Sequence, residues 1–162
     1  MLEQEIASAI KFILDSAGGP APYYYEVPQD FLVPAVYFPK PEVMSGGDTL
    51  LTYALTYSWY IKFFHKDEPL AYELGFAALT ALQYKKNVVP LIDETGALTG
   101  RGFRLKDPAL KMLDRAAQLT LVWDSPRPYY DEKYEKMQHY YADLHTKSAY
   151  EAALLQINES EG

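Results

Sequence analysis

From Leu51 to Phe63 every odd position is a large apolar residue: Leu51, Tyr53, Leu55, Tyr57, Trp59, Ile61 and Phe63. Thr52, Ala54, Thr56, Ser58 and Lys62 fall between them. A period of two puts alternate side chains on opposite faces of a strand, whereas a helix would scatter them around its circumference. The pattern predicts one very long strand, about 49–64, which at ~3.3 Å per residue would span ~53 Å. That is well beyond the usual strand length, so the strand either bends over a core or runs past it. A stretch that runs past needs a partner, because an open edge invites pairing. In a self-assembling protein that partner can be the neighbouring subunit.

A second alternation, with Ala117, Leu119, Leu121 and Trp123 against Gln118, Thr120 and Val122, predicts another strand that Ser125–Pro128 should break. Shorter strands are expected at 23–27, at Ala35–Phe38 between Pro34 and Pro39, at Val88–Ile92 and at Phe103–Lys106. Pro90 marks Val88–Ile92 as an edge or a bulge. Residues 40–48 (KPEVMSGGD) and 93–102 (DETGALTGRG) read as a loop and a turn region. A helix is expected over 2–17, where Leu2, Ile6, Ile10, Ile13 and Ala17 recur at helical spacing before Gly18, Gly19 and Pro20. Asp67 can cap a second helix with Pro69 in its first turn and an apolar face of Leu70, Leu74, Ala77, Ala78, Ala81 and Leu82. Residues 131–144 and 150–157 read as further helix. The order helix, strands, helix, strands, helix fits one α+β domain. Helices at the N-terminus, centre and C-terminus pack on an antiparallel or mixed sheet. The expected division is a domain over 1–145 and a partly helical or frayed extension over 146–162.

The chain has 162 residues, enough for one sizeable core. Its net charge is −7 and it has no cysteine. The acidic balance argues against a protein that coats DNA, and the missing cysteines exclude disulfides and thiolate chemistry. No apolar run approaches the ~18 residues of a membrane span, and no cleavable leader pattern opens the chain. The charge is uneven: residues 84–127 hold eight basic and five acidic residues, while the stretches on either side are net acidic. Complementary surfaces of this kind suit head-to-tail contact between copies, although a mixed soluble surface gives the same tally.

Motifs for chemistry are missing. His139 and His145 are six apart, the wrong spacing for a metal pair on a helix, and His65 sits at a strand end. Gly96, Gly100 and Gly102 match no phosphate cradle, and Asp93–Glu94 and Asp67–Glu68 read as turn and cap acids. The expectation is no enzyme, no cofactor and no metal. The chain has 15 tyrosines against seven phenylalanines. Many lie in the expected strands, but Tyr129, Tyr130, Tyr134, Tyr140 and Tyr141 do not. That cluster favours a packing surface for another chain, because tyrosine tolerates contacts that stay partly wet.

The phrases VPAVYFPKPEVMSGGDTLLTYALTYSWYIKFFH, AYELGFAALTALQ, VVPLIDETGALTGRGFRLKDP and QLTLVWDSPRPYY, over about residues 22–130, resemble the tail terminator (tail completion) family of long-tailed phages and phage-tail-like bacteriocins. The resemblance implies a structural α+β subunit forming a ring, commonly a hexamer, that caps the head-proximal end of the tail tube and ends its polymerisation. The implied partners are other copies, the tail tube protein, a sheath protein, and a head-connector or neck protein, with passive DNA passage through the lumen. The implied location is a virion tail or tail-like particle assembled in the bacterial cytoplasm. The alternative is another neck or head-to-tail adaptor of the same particle. Candidate interface residues are Lys40, Glu42, Asp48, Tyr57, Trp59, Arg101, Arg104, Arg127, Tyr129 and Tyr130. Among them, Arg101, Arg104 and Arg127 are expected to pair with a neighbour's Glu42 or Asp48.

Overall fold

A computed structural model describes residues 3–129. The helices expected over 131–144 and 150–157, and the proposed extension over 146–162, lie outside the described residues. The element order is α1 (Gln4–Ser16), β1 (Ala21–Tyr24), β2 (Ala35–Phe38), β3 (Glu42–Asp48), β4 (Thr52–Phe64), α2 (Glu68–Tyr84), β5 (Val88–Ile92), β6 (Leu98–Arg104), β7 (Ala109–Leu113) and β8 (Ala116–Pro128). The fold is α+β, with a main mixed sheet and, among the described residues, two helices.

The main sheet runs β1-β2-β4-β8-β7, and β3 adds to β4. β1 and β2 are parallel, while β2 and β3 are both antiparallel to β4. β2 pairs with the end of β4, Ala35 facing Phe64, and β3 pairs with its beginning, Asp48 facing Tyr53. A separate two-stranded hairpin joins β5 to β6, and its register shifts between Pro90 and Ile92, the irregularity expected of proline in a strand.

Two compact units divide the chain. Among the described residues, one comprises residues 3–48 and Tyr53–Arg127, and the other comprises Thr49–Thr52 with Pro128 and Tyr129. In the second unit, the Thr49 side chain accepts the Thr52 N–H at 3.0 Å, and the Tyr129 N–H donates to the Leu51 carbonyl at 3.2 Å.

Several expectations change. Residues 42–48 form a strand, not a loop, because pairing with β4 satisfies the backbone through a bulge that Gly46 and Gly47 allow. An added Cβ on Gly46 would lie 2.5 Å from Thr56 Oγ1, and Gly47 has φ of 108°. The first short strand is Ala21–Tyr24 rather than 23–27. Strand β6 begins inside the expected turn region, and β7 lies where no element was expected. Ser125–Pro128 does not break β8. β7 covers β8 only over Ala116–Thr120, so the proline segment is an edge on that side, where a missing N–H is tolerated. Asp67 stands at the N-cap of α2 but makes no side-chain capping bond.

The buried face of α2 is Ala71, Gly75, Ala78 and Leu82, rotated from the expected stripe. Gly75 explains the rotation, because a Cβ there would meet Leu110 Cδ1 at 2.6 Å. The helix packs on the sheet through its smallest residues. Phe38, Tyr57, Trp59, Ile61, Phe63, Leu119, Leu121 and Trp123 fill the core with Ile13 and Leu82. Tyr57 stacks on Trp123 with ring centres 4.9 Å apart, and Phe103 and Trp59 close around the same indole at 5.4 and 6.3 Å. Such rings bury large areas and hold defined orientations.

Candidate assembly surfaces

The start of α1 is tied to the long strands by carboxylates. Glu3 accepts hydrogen bonds from the Tyr57 hydroxyl and from Arg127 Nη2, the latter at 2.9 Å, and Arg127 Nη2 also donates to the Tyr57 oxygen at 2.8 Å. Glu5 accepts from Trp123 Nε1 at 2.8 Å and from Ser125 Oγ at 2.9 Å. Tyr57, Trp123, Ser125 and Arg127 are odd-numbered residues on the core side of adjacent strands, so one helical turn reaches all four. Burial alone would raise the Glu3 carboxyl. The hydrogen bonds from Tyr57 and Arg127, with the arginine's charge, outweigh it and hold Glu3 below the ordinary carboxylate range. Burial, then the bond to Glu3, pushes the Tyr57 phenol well above its usual value, so it remains a neutral donor.

On the opposite face, the Thr56 hydroxyl donates to Asp124 at 2.7 Å and Lys106 forms an ion pair with the same carboxylate. These bonds, that from Lys106 first, hold the Asp124 carboxyl below the ordinary range. The β5–β6 hairpin is fastened to α1, with the Ile92 N–H donating to Ser8 Oγ at 3.0 Å and Gln4 Nε2 to the Ile92 carbonyl at 2.7 Å.

The candidate residues do not form a single cluster. Glu42 and Asp48 stand at the two ends of β3, exposed with the rest of that strand. Lys40 is exposed beside it, its ammonium 5.4 Å from the Tyr25 ring centre. Arg101 and Arg104 are exposed on β6. Tyr57 and Trp59 are not surface residues: each is 1% exposed, because the odd face of β4 is the core face. The Trp59 indole N–H is spent on the Pro39 carbonyl at 2.6 Å. Arg127 pairs with Glu3 of its own chain rather than awaiting Glu42 or Asp48 of another. Tyr129 is half-buried in the second unit, and Tyr130 lies outside the described residues.

Two apolar surfaces stand out. The first lies in the segment that holds the interface candidates Lys40, Glu42 and Asp48, where Val43 and Met44 of β3 are exposed. The second, missed by the sequence reading, is a groove of about 730 Å³ between α1 and α2, bordered by Phe12, Phe76, Ala77, Tyr84 and Lys85. Tyr72, Phe76 and Tyr84 recur every four or eight residues, outside the expected apolar stripe of α2, which was the available signal for a second apolar face. A smaller, more polar cleft of about 580 Å³ lies beside Phe31, Phe64, His65 and Arg115. Among the described residues, no group of three or more acidic or histidine side chains could hold a metal ion.

The described residues thus form a fold of the mixed-sheet α+β class. No family model matches the chain. YqbJ of Bacillus subtilis (strain 168), an uncharacterized protein, is 33% identical over 111 residues, covering 68% of this chain and 76% of YqbJ. Protein XkdJ of the phage-like element PBSX, from the same organism, is 31% identical over 129 residues, covering 80% of this chain and 88% of XkdJ. The chain belongs to the family of XkdJ and YqbJ. Among solved structures, a chain from the virion of a native gene transfer agent particle superposes with a TM-score of 0.46 at 14% identity, covering 76% of this chain and 93% of that one.

Proposed function

We propose that the protein is a non-enzymatic structural component of a phage or phage-like particle. In this reading it forms a ring that caps the head-proximal end of the tail tube and ends its growth. Membership in the family of a phage-like-element protein supports the particle. The single observation that carries the ring is β3, a seven-residue strand exposed at every position and paired, among the described strands, with β4 alone. An edge of that length is a template for another chain unless something covers it. A terminator must match the open surface of the last tube ring on one side and not reproduce it on the other, which combines a heterologous contact with closed rotational symmetry. Its partners are other copies, the tube protein, and a sheath or neck protein, and its place is the particle tail, assembled in the bacterial host.

The test is mass in solution with and without purified tail tubes, followed by imaging of the tube ends. The expected result is a closed ring at one end of each tube, with growth arrested. A ring found only on the head connector would replace this reading with that of an adaptor. A protein that never joins tubes or connectors would overturn both.

A further inference from the structure

The groove between α1 and α2 is apolar along its floor and cationic at one end. Phe76 is 53% exposed and Tyr84 90% exposed, and the Tyr72 ring stacks on Phe76 at 6.1 Å. Lys85 borders the groove and Lys86 follows it, and neither forms an ion pair among the described residues. Asp15 also borders the groove, and it pairs with Lys11 of its own helix at 3.3 Å. A contiguous apolar patch of this kind, with unanswered charge at one end, is the usual mark of a contact surface.

The complementary feature lies on β3. In its register, Met44 faces Thr56 and Glu42 faces Ser58, so both side chains point away from the core. Met44 is 61% exposed, and Glu42 forms no ion pair among the described residues. Two residues along a strand are separated by ~7 Å. An apolar knob therefore stands one side-chain step from a carboxylate, as the groove floor stands beside its lysines. Methionine is well suited to an irregular apolar groove, because its unbranched thioether adapts to the space available.

We infer that β3 of one copy docks in the α1–α2 groove of the next, with Met44 between Phe12 and Phe76 and Glu42 against Lys85. Charge complementarity selects a second copy as the occupant. Knob and groove are different surfaces, so the contact is heterologous and propagates from copy to copy until the rotation closes. The inference rests on the ring reading and names the surfaces that make the ring.

The absence of cysteine in the chain makes the test clean. The full-length Met44→Cys/Phe76→Cys variant, oxidised alone and with tail tubes, is expected to give a covalent ladder ending at the ring's subunit number. Each single variant should give none beyond a dimer. Rings seen by mass or imaging without a 44–76 cross-link would overturn this contact and leave the ring intact. No assembly of the unaltered protein under either condition would overturn the ring and this contact together. Should the double-cysteine chain fail to fold, charge exchange decides the matter. Glu42→Lys should weaken assembly at least tenfold at low salt, and Lys85→Glu in the same chain should restore it. Failure to restore would overturn the pairing.

Discussion

The two halves of β4 carry the same alternation and meet different surroundings. From Tyr57 to Phe63 the odd side chains are buried against Trp123, Phe38 and the helices. From Tyr53 to Thr56 the strand is half-buried, and β3 beside it is exposed throughout. Both halves take part in the ladder: β2 pairs with residues 62–64 of β4, and β3 pairs with residues 53–58. The difference is the second layer. A ladder satisfies N–H and C=O groups, but only a packed layer removes apolar side chains from water. The first half is thus a stability element, and the second, in the function proposed above, serves assembly.

The largest effect expected from breaking this comparison is at its buried end. Trp123→Ala removes the indole that Tyr57, Trp59 and Phe103 pack against, and chemical denaturation should show a loss of about 3–5 kcal/mol. Gly75→Val forces a branched side chain toward Leu110 Cδ1 and Phe63. It should cost about 1–3 kcal/mol by overpacking, measured in the same way.

A smaller effect belongs to the carboxylate that ties α1 to both long strands. Glu3→Gln weakens its bonds to Tyr57 and Arg127 and should cost about 1 kcal/mol at neutral pH. The sign of the pH dependence follows from the lowered carboxyl of Glu3. Its contribution is present above the ordinary glutamate value of ~4.3 and is lost as pH falls through the lower folded value. The unaltered protein should therefore lose stability more steeply below about pH 4 than Glu3→Gln. Identical acid limbs would mean that the tie is not closed in solution.

The smallest effect on folding is expected at the exposed end. Met44→Ser should change stability by no more than about 0.5 kcal/mol, as exposed substitutions do. Its effect should appear in assembly with tubes, where sedimentation reads the fraction bound. A variant that unfolds readily would place Met44 with the core half of the strand and remove the comparison.

Much of the architecture was legible because it depends on local pattern. The period of two in residues 51–63 marks β4, and the glycine pair after Ala17 marks the end of α1, where both glycines adopt positive φ. The site was less legible. Residues 40–48 read as a loop from their proline, serine and glycine content, and only the availability of β4 as a partner makes a strand of 42–48. Tyr57 and Trp59 suggested an interface by their residue type, but type does not report which face of a strand is covered. Arg127 suggested an intermolecular pair, yet Glu3, 124 residues away in sequence, reaches it first.

The sequence by itself determined the α+β class, the long strand, the two described helices, and the absence of thiol chemistry. All of these follow from composition or from spacings within one element. Tertiary structure alone decided which face of each element is buried, which charges are answered within the chain, and where apolar surface remains open. Those outcomes depend on contacts between residues far apart in sequence, and no local pattern encodes the partner that will be present.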